Sequence, residues 1–150
     1  MSRRLTGRDL EAAPHLRPIC FEIGAVGNTK PMRLSPQHRV LISGGQAELH
    51  FGEPQVLAPA KAFVDGQSVV VDRTVDGVTY FHLLLDDHQL LRSDGAITES
   101  LYPGWAGFKP GQRELRQIFG NQLSAIGAKS LVRPTISARE AEAIVGRIMA

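Results

Sequence analysis

Two short stretches hold the residues whose types and spacing could do chemistry. The first is Ser35-Pro36-Gln37-His38, set between Leu34 and Arg39-Val40-Leu41-Ile42. Pro36 fixes its own φ and steers Ser35 away from the helical region. A hydroxyl and an imidazole are therefore expected together at a strand edge or bulge, where a bend re-aims side chains. An imidazole held in that way can protonate an amide nitrogen or stabilise charge on a carbonyl oxygen, with the hydroxyl keeping it oriented. A hydrogen-bonded, half-buried structural histidine at position 38 would leave the same pattern.

The second stretch is Tyr80-Phe81-His82-Leu83-Leu84-Leu85-Asp86-Asp87-His88, followed by Ser93-Asp94-Gly95. His82 and His88 would share a face of an uninterrupted strand, but the Asp86-Asp87 pair interrupts it. A carboxylate such as Asp86 beside His88 would favour the charged imidazole and make it a better proton donor. His82, Asp86 and His88 also offer nitrogen and oxygen metal ligands. They lack a tight two-histidine spacing, so neither a metal nor another cofactor is expected. His15 and His50 read as surface residues. Cys20, the one thiol, alternates within an apolar run and reads as a small buried hydrophobe rather than a nucleophile. Glycine-rich phosphate loops, nucleophile elbows and metalloprotease helix motifs are absent.

The elements that must position these residues are mostly short strands. Ile19, Phe21 and Ile23 alternate with polar or small neighbours, a period of two within an apolar run from Leu16 to Ile23. Gly24-Ala25-Val26-Gly27-Asn28 is a loop. Val40-Leu41-Ile42, Ala47-Glu48-Leu49-His50-Phe51, Gln55-Val56-Leu57-Ala58, Val69-Val70-Val71 and Val78 to Leu85 read as further strands, with His88 to Leu91 resuming the last. Asp65-Gly66, Asp76-Gly77 and Asp94-Gly95 are hairpin signals. So many strands at tight spacing predict a mainly β fold over residues 16–108. Residues 1–15 read as an N-terminal linker. Residues 109–150 read as a helical extension: Gln112–Gln122 has apolar residues at helical spacing. There, too, Ser137 and Glu140 form a capping box ahead of Ala141, Ile144, Val145 and Ile148.

Composition sets broader bounds. A chain of 150 residues makes one domain plus an appendage, and 43% apolar residues suffice for a core. No apolar run approaches the roughly 20 residues that span a bilayer. The basic start, Met-Ser-Arg-Arg, is not followed by an apolar stretch, so it is not a signal peptide. A cytoplasmic location is the default expectation, with no membrane partner. Residues 1–40 carry seven Lys/Arg against three Asp/Glu, residues 41–108 three against nine, and residues 109–150 seven against three. Basic ends around an acidic middle can complement one another within the fold. No basic cluster is interleaved with aromatics, so a nucleic-acid partner is not expected.

Ser35-Pro36-Gln37-His38-Arg39-Val40-Leu41, preceded by Arg17-Pro18-Ile19 and Gly24-Ala25-Val26-Gly27-Asn28, resembles the Hint (Hedgehog/intein) domain, most closely its bacterial form. Val78 to His88, with Asp94-Gly95-Ala96 and Glu99-Ser100, resembles the same family, and its Tyr-to-His spacing is like that of the late histidine block of inteins. The likeness covers Leu16 to Pro103. It implies a compact all-β horseshoe and self-processing: a cysteine or serine attacks the preceding carbonyl in an N-to-S or N-to-O acyl shift, and a second nucleophile cleaves the ester. The family's Thr-x-x-His motif, which assists the shift, maps onto Ser35 and His38, with Ser replacing Thr. The late histidine maps onto His88. Phe81 and His82 stand where a polar residue often follows the tyrosine, giving His82 and Asp86 at most a secondary place.

The family's opening block, with its nucleophile, has no counterpart in the early residues, and Cys20 occupies an ordinary strand position. The horseshoe is therefore expected to be incomplete, the C-terminal part of an autoproteolytic domain, and inactive until an N-terminal Hint segment or host polypeptide supplies the nucleophile. The intein ending His-Asn is absent, so splicing is not expected. The rival expectation is a non-catalytic β interaction or scaffold module. A histidine and carboxylate metal-binding domain is a third, weaker one.

Overall fold

Asp94 and Gly95 both have positive φ, 48° and 99°, as a two-residue turn between twisted antiparallel strands requires. A Cβ at Gly95 would also lie 2.7 Å from the carbonyl oxygen of Gly27, so a side chain has no room there. This turn joins β8 (Leu90–Ser93) to β9 (Ala96–Glu99). Strand β9 pairs through Thr98 and Val40 with β4 (Arg39–Ser43), which pairs along its length with β5 (Gln55–Pro59). The result is a four-stranded antiparallel sheet in the order β5-β4-β9-β8. The computed structural model describes residues 2–102 and 130–148. Two smaller antiparallel sheets accompany the first among them. One places β2 (Ile19–Phe21) between β3 (Met32–Leu34) and β6 (Val69–Val71); the other is a ribbon of β1 (Ser2–Thr6) and β7 (Gly77–Phe81). The fold is thus mainly β, as expected.

The main core forms where the two larger sheets turn their apolar sides to one another. Val40 and Ile42 alternate inward from β4 and meet Val56, Ala58 and Ala96, with Ile19, Phe21 and Val69 from the smaller sheet. Phe21 and Phe63 pack with ring centroids 5.9 Å apart in a tilted arrangement. Each buried side chain of this size contributes about 2–3 kcal/mol. Helix α3 (Ala138–Ile148) closes the core with Ala141, Ile144 and Val145. Its start is the capping box read from the sequence: the Glu140 N–H donates to Ser137 Oγ, and the Ser137 N–H donates to Glu140 Oε2 at 2.7 Å. The helical pattern at Gln112–Gln122 lies outside the described residues.

Four local expectations are corrected. Residues 47–51 lie within helix α2 (Gly45–Phe51) rather than a strand. Ala47 and Phe51 fall on one face under either period, and only Leu49 discriminates. A strand would bury Leu49 with them, yet it is 76% exposed. The Asp76-Gly77 turn does not close a hairpin, because β6 pairs with β2 while β7 pairs with β1. Gly77 is needed for close approach: a Cβ there would meet the Leu5 carbonyl oxygen at 2.9 Å. Strand β7 also ends at Phe81, short of the expected Leu85.

Residues 1–15 are the fourth correction. Ser2–Thr6 is β1, and Gly7–Ala12 is helix α1, capped by reciprocal bonds between Thr6 and Asp9. Leu5, Leu10 and Leu16 pack with Tyr80 and Leu101 as a second, smaller core. The segment has too few apolar residues to show a period, and its partner strand lies some 75 residues away in the chain (Ser2 opposite Phe81). Only long-range pairing reveals it.

Leu10→Ala is expected to destabilise the protein by about 2–5 kcal/mol in urea unfolding, and Thr6→Ala by about 1 kcal/mol. A dispensable linker would show neither loss.

Candidate functional site

Ser35 and His38 are the ends of a β-turn rather than parts of a bulge. The His38 N–H donates to the Ser35 carbonyl at 3.0 Å, across Pro36 and Gln37. Proline suits the second position of such a turn because its φ is already set. Two more backbone bonds pin the turn down: Ala60 N–H to the His38 carbonyl at 2.8 Å, and Lys61 N–H to the Pro36 carbonyl at 3.1 Å. The turn feeds directly into β4. Within it, Ser35 Oγ and His38 Nε2 are both buried and have no hydrogen-bond partner among the described residues.

Next to the turn is a buried carboxylate, Glu99, at the end of β9. Its side chain is 7% exposed. The Arg39 backbone N–H donates to Oε1 at 3.0 Å, and Arg39 Nη1 reaches Oε2 at 3.0 Å and Oε1 at 3.3 Å. His88 Nε2 lies 2.9 Å from Oε2. Burial opposes the charge on Glu99, but the His88 hydrogen bond, the Arg39 guanidinium and the nearby His38 outweigh it, and its pKa is held below the ordinary carboxylate value. The antiparallel pairing of Val40 with Thr98 sets the next residues, Arg39 and Glu99, beside each other.

His88 arrives on the loop between β7 and β8. That loop is tied to the end of β9 by bonds from Gln89 N–H to Ser100 Oγ, Ser100 N–H to the Gln89 carbonyl and Leu101 N–H to the Leu83 carbonyl. The His88 ring is fully buried, and Tyr102 packs on it with centroids 5.0 Å apart. The Val132 N–H donates to His88 Nδ1 at 3.1 Å. A backbone N–H can only meet a lone pair, so Nδ1 is the unprotonated nitrogen and Nε2 carries the hydrogen that Glu99 accepts.

His82 comes from the ribbon. Tyr80 points inward and donates its hydroxyl to the Leu16 carbonyl at 2.6 Å. Two residues on, His82 points to the same side and is 5% exposed, while Phe81 between them is 74% exposed. The His82 ring lies against that of His38, centroids 5.3 Å apart. Burial lowers the pKa of His82 to about 4; His38 and the amino terminus push the same way and Glu99 pulls against them. Burial likewise lowers that of His38, with Glu99 raising it and Arg39 lowering it.

Three of the five expected site residues, His38, His82 and His88, thus interact with Glu99, and Ser35 shares the His38 turn. Asp86 is exposed on the β7–β8 loop, and the carboxylate bonded to His88 is Glu99 instead. The sequence shows Glu99 and Arg39 as parts of the two motifs without giving them a role. The only signal was that Arg39 adjoins His38 and that Glu99 closes a short alternating run. Cys20 sits apart on β2, half-buried, its Sγ 3.4 Å from an Asp72 carboxylate that also binds Arg33 and Thr74. Burial and that carboxylate raise its pKa, the opposite of what a thiol nucleophile needs. Among the described residues no group of three His, Cys, Asp or Glu side chains could hold a metal.

Antiparallel sheets meeting around a buried histidine and carboxylate cluster define a mainly β protein. Its family can be stated more closely: the Hint domain profile matches residues 1–105, and the chain belongs to the Hint domain family. No curated protein and no solved structure gives a significant match.

His38 and His82 are held below the ordinary value of 6.5, so on acidification the unfolded chain takes up protons that the folded chain refuses. Stability should therefore fall as the pH drops from about 6.5 toward 4. His82 alone accounts for a loss on the order of 2 kcal/mol at pH 5. Urea midpoints measured between pH 7 and pH 5 should show this slope, and His82→Gln should flatten part of it.

Proposed function

We propose that this chain supplies the acid–base part of a Hint-type self-processing site. In the reaction, a cysteine or serine attacks the preceding carbonyl in an N-to-S or N-to-O acyl shift, and a second nucleophile then cleaves the ester. The observation that carries this reading is the pair of buried, unbonded polar atoms, Ser35 Oγ and His38 Nε2, on one turn. Each such atom is destabilising by about 1–3 kcal/mol. A fold that keeps two of them on a rigidly pinned turn keeps them for something other than its own stability. They occupy the positions at which the family's motif has its hydroxyl and its histidine.

His38 then has the role of donating to the leaving amide nitrogen, and Ser35 that of orienting the ring or the acyl group. Cys20 is ill suited to attack, so the nucleophile is taken to come from another polypeptide segment. A second reading, a non-catalytic β interaction module, draws on the exposed Phe81 and Leu83, 74% and 62% accessible, at the end of β7 and just after it.

One experiment separates the two. The chain is co-expressed with a tagged Hint N-terminal segment that begins with cysteine, a thiol is added, and intact masses are followed. Release of the tag is expected, slowed about 10²–10⁴-fold by His38→Ala and less by Ser35→Ala. An unchanged mass in a mixture shown to form the complex would sink the self-processing reading and leave the interaction module.

A further inference from the structure

We propose that Val132 is a positioning residue of the processing site. Its backbone N–H holds the His88 ring and, through Glu99, the chain just after His38, so the C-terminal segment works with the site instead of merely following it. The family profile ends at residue 105, well before this segment. The effect on cleavage rests on the self-processing reading, whereas the positioning of His88 stands on the geometry alone.

Residues 132–136 form a strap along one edge of the main sheet. Strand β5 is that edge, and Leu57 in its middle turns both backbone groups to the strap. Its N–H donates to the Pro134 carbonyl at 2.9 Å, and its carbonyl accepts from the Ile136 N–H at 3.0 Å, a parallel bridge centred on Thr135. Pro134 has no N–H and stands where only a carbonyl is needed. Arg133 Nε donates to Gln55 Oε1 at 2.7 Å, and Arg133 Nη1 donates to the Val132 carbonyl at 2.7 Å. Beyond the strap, α3 buries Ala141, Ile144 and Val145 in the main core. The place of Val132 is thus set by the sheet and the core, independently of His88.

From Val132 a series of hydrogen bonds runs to the turn. The Val132 N–H donates to His88 Nδ1 at 3.1 Å, and His88 Nε2 donates to Glu99 Oε2 at 2.9 Å. The other carboxylate oxygen, Oε1, accepts the backbone N–H of Arg39, the residue after His38, at 3.0 Å. One ring nitrogen of His88 faces a donor and the other an acceptor. The ring can therefore neither flip nor exchange tautomer without setting two donors or two acceptors against each other. A fully buried ring has no solvent to compensate such a mismatch. Bonds in series also polarise one another. The strap thus aims the His88 donor, and the aimed donor places the Glu99 carboxylate against the Arg39 backbone.

The test uses the full chain labelled with nitrogen-15. In the wild type, His88 should be protonated at Nε2 alone, and a scalar coupling should pass through the hydrogen bond between the Val132 amide nitrogen and His88 Nδ1. A protonated Nδ1, or no such coupling, would overturn the positioning role. Val132→Pro removes the N–H, and replacing Val132 by its α-hydroxy acid removes it as an ester with less change in backbone geometry. Either should shift the His88 ring resonances and the Arg39 amide resonance. Val132→Ala, which keeps the N–H and loses the side chain, should leave both in place. An Arg39 amide indifferent to loss of the Val132 N–H would also overturn the role. Should the proline and ester variants both fail to fold, the wild-type tautomer and coupling decide alone. In the complemented cleavage reaction, loss of the N–H should slow release of the tag about tenfold, as for one buried hydrogen bond, and Val132→Ala should match the wild type. An unslowed reaction in the proline or ester variant would overturn the link to cleavage. Absence of any cleavage with the spectra as expected would count against the self-processing reading and leave the positioning of His88 standing.

Discussion

One buried negative charge organises the functional end of this protein. Glu99 has its carboxylate almost wholly withdrawn from water and remains ionised because three kinds of donor converge on it: the Arg39 guanidinium, the Arg39 backbone N–H and the His88 imidazole. A carboxylate buried without such partners would be protonated instead. Its bonds reach three separate stretches of chain. Arg39 leaves the Ser35–His38 turn, His88 sits on the β7–β8 loop, and through His88 Nδ1 the network continues to Val132, just ahead of the segment that leads to α3. Elements far apart in sequence are thereby held to one electrostatic centre.

That arrangement explains why the site can keep unpaired polar atoms. The turn that carries Ser35 and His38 is fastened by its own backbone bonds and by those to Ala60 and Lys61. Its position is therefore set without the two side chains, which are left available. The rigidity of this end of the fold thus comes from the backbone and from Glu99. Each pKa shift follows from the same burial. It makes Glu99 dependent on its partners and keeps His38 and His82 uncharged near neutrality.

Much of this was legible in the sequence where the signal is local. The Asp94-Gly95 hairpin and the Ser137/Glu140 cap each depend on residues within a few positions of one another, and both turned out to shape the chain where expected, whereas the Ser35-Pro36-Gln37-His38 stretch, expected at a strand edge or bulge, is a β-turn. The strand β1 was invisible because its stability comes from Tyr80 and Val78 on a distant strand and from the small core around Leu10. Helix α2 was misread because five residues cannot separate a period of two from a helical one when Leu49 alone decides. The role of Glu99 lay hidden for a different reason. A lone glutamate in an alternating run reads as a solvent-facing residue, and nothing nearby in sequence announces that an arginine sixty positions earlier will bury it (Arg39 to Glu99).

The pairing of β1 with β7 acts as a selector of chemistry. Ser2 lies opposite Phe81, one residue before His82. Because side chains alternate across a strand, a shift of that pairing by a single residue would turn Phe81 inward and His82 out. The contact between the His38 and His82 rings would be exchanged for one between His38 and a phenyl ring. The identity of the group that meets His38 is thus written less in the β7 sequence than in the register that Leu5 and Tyr80 lock.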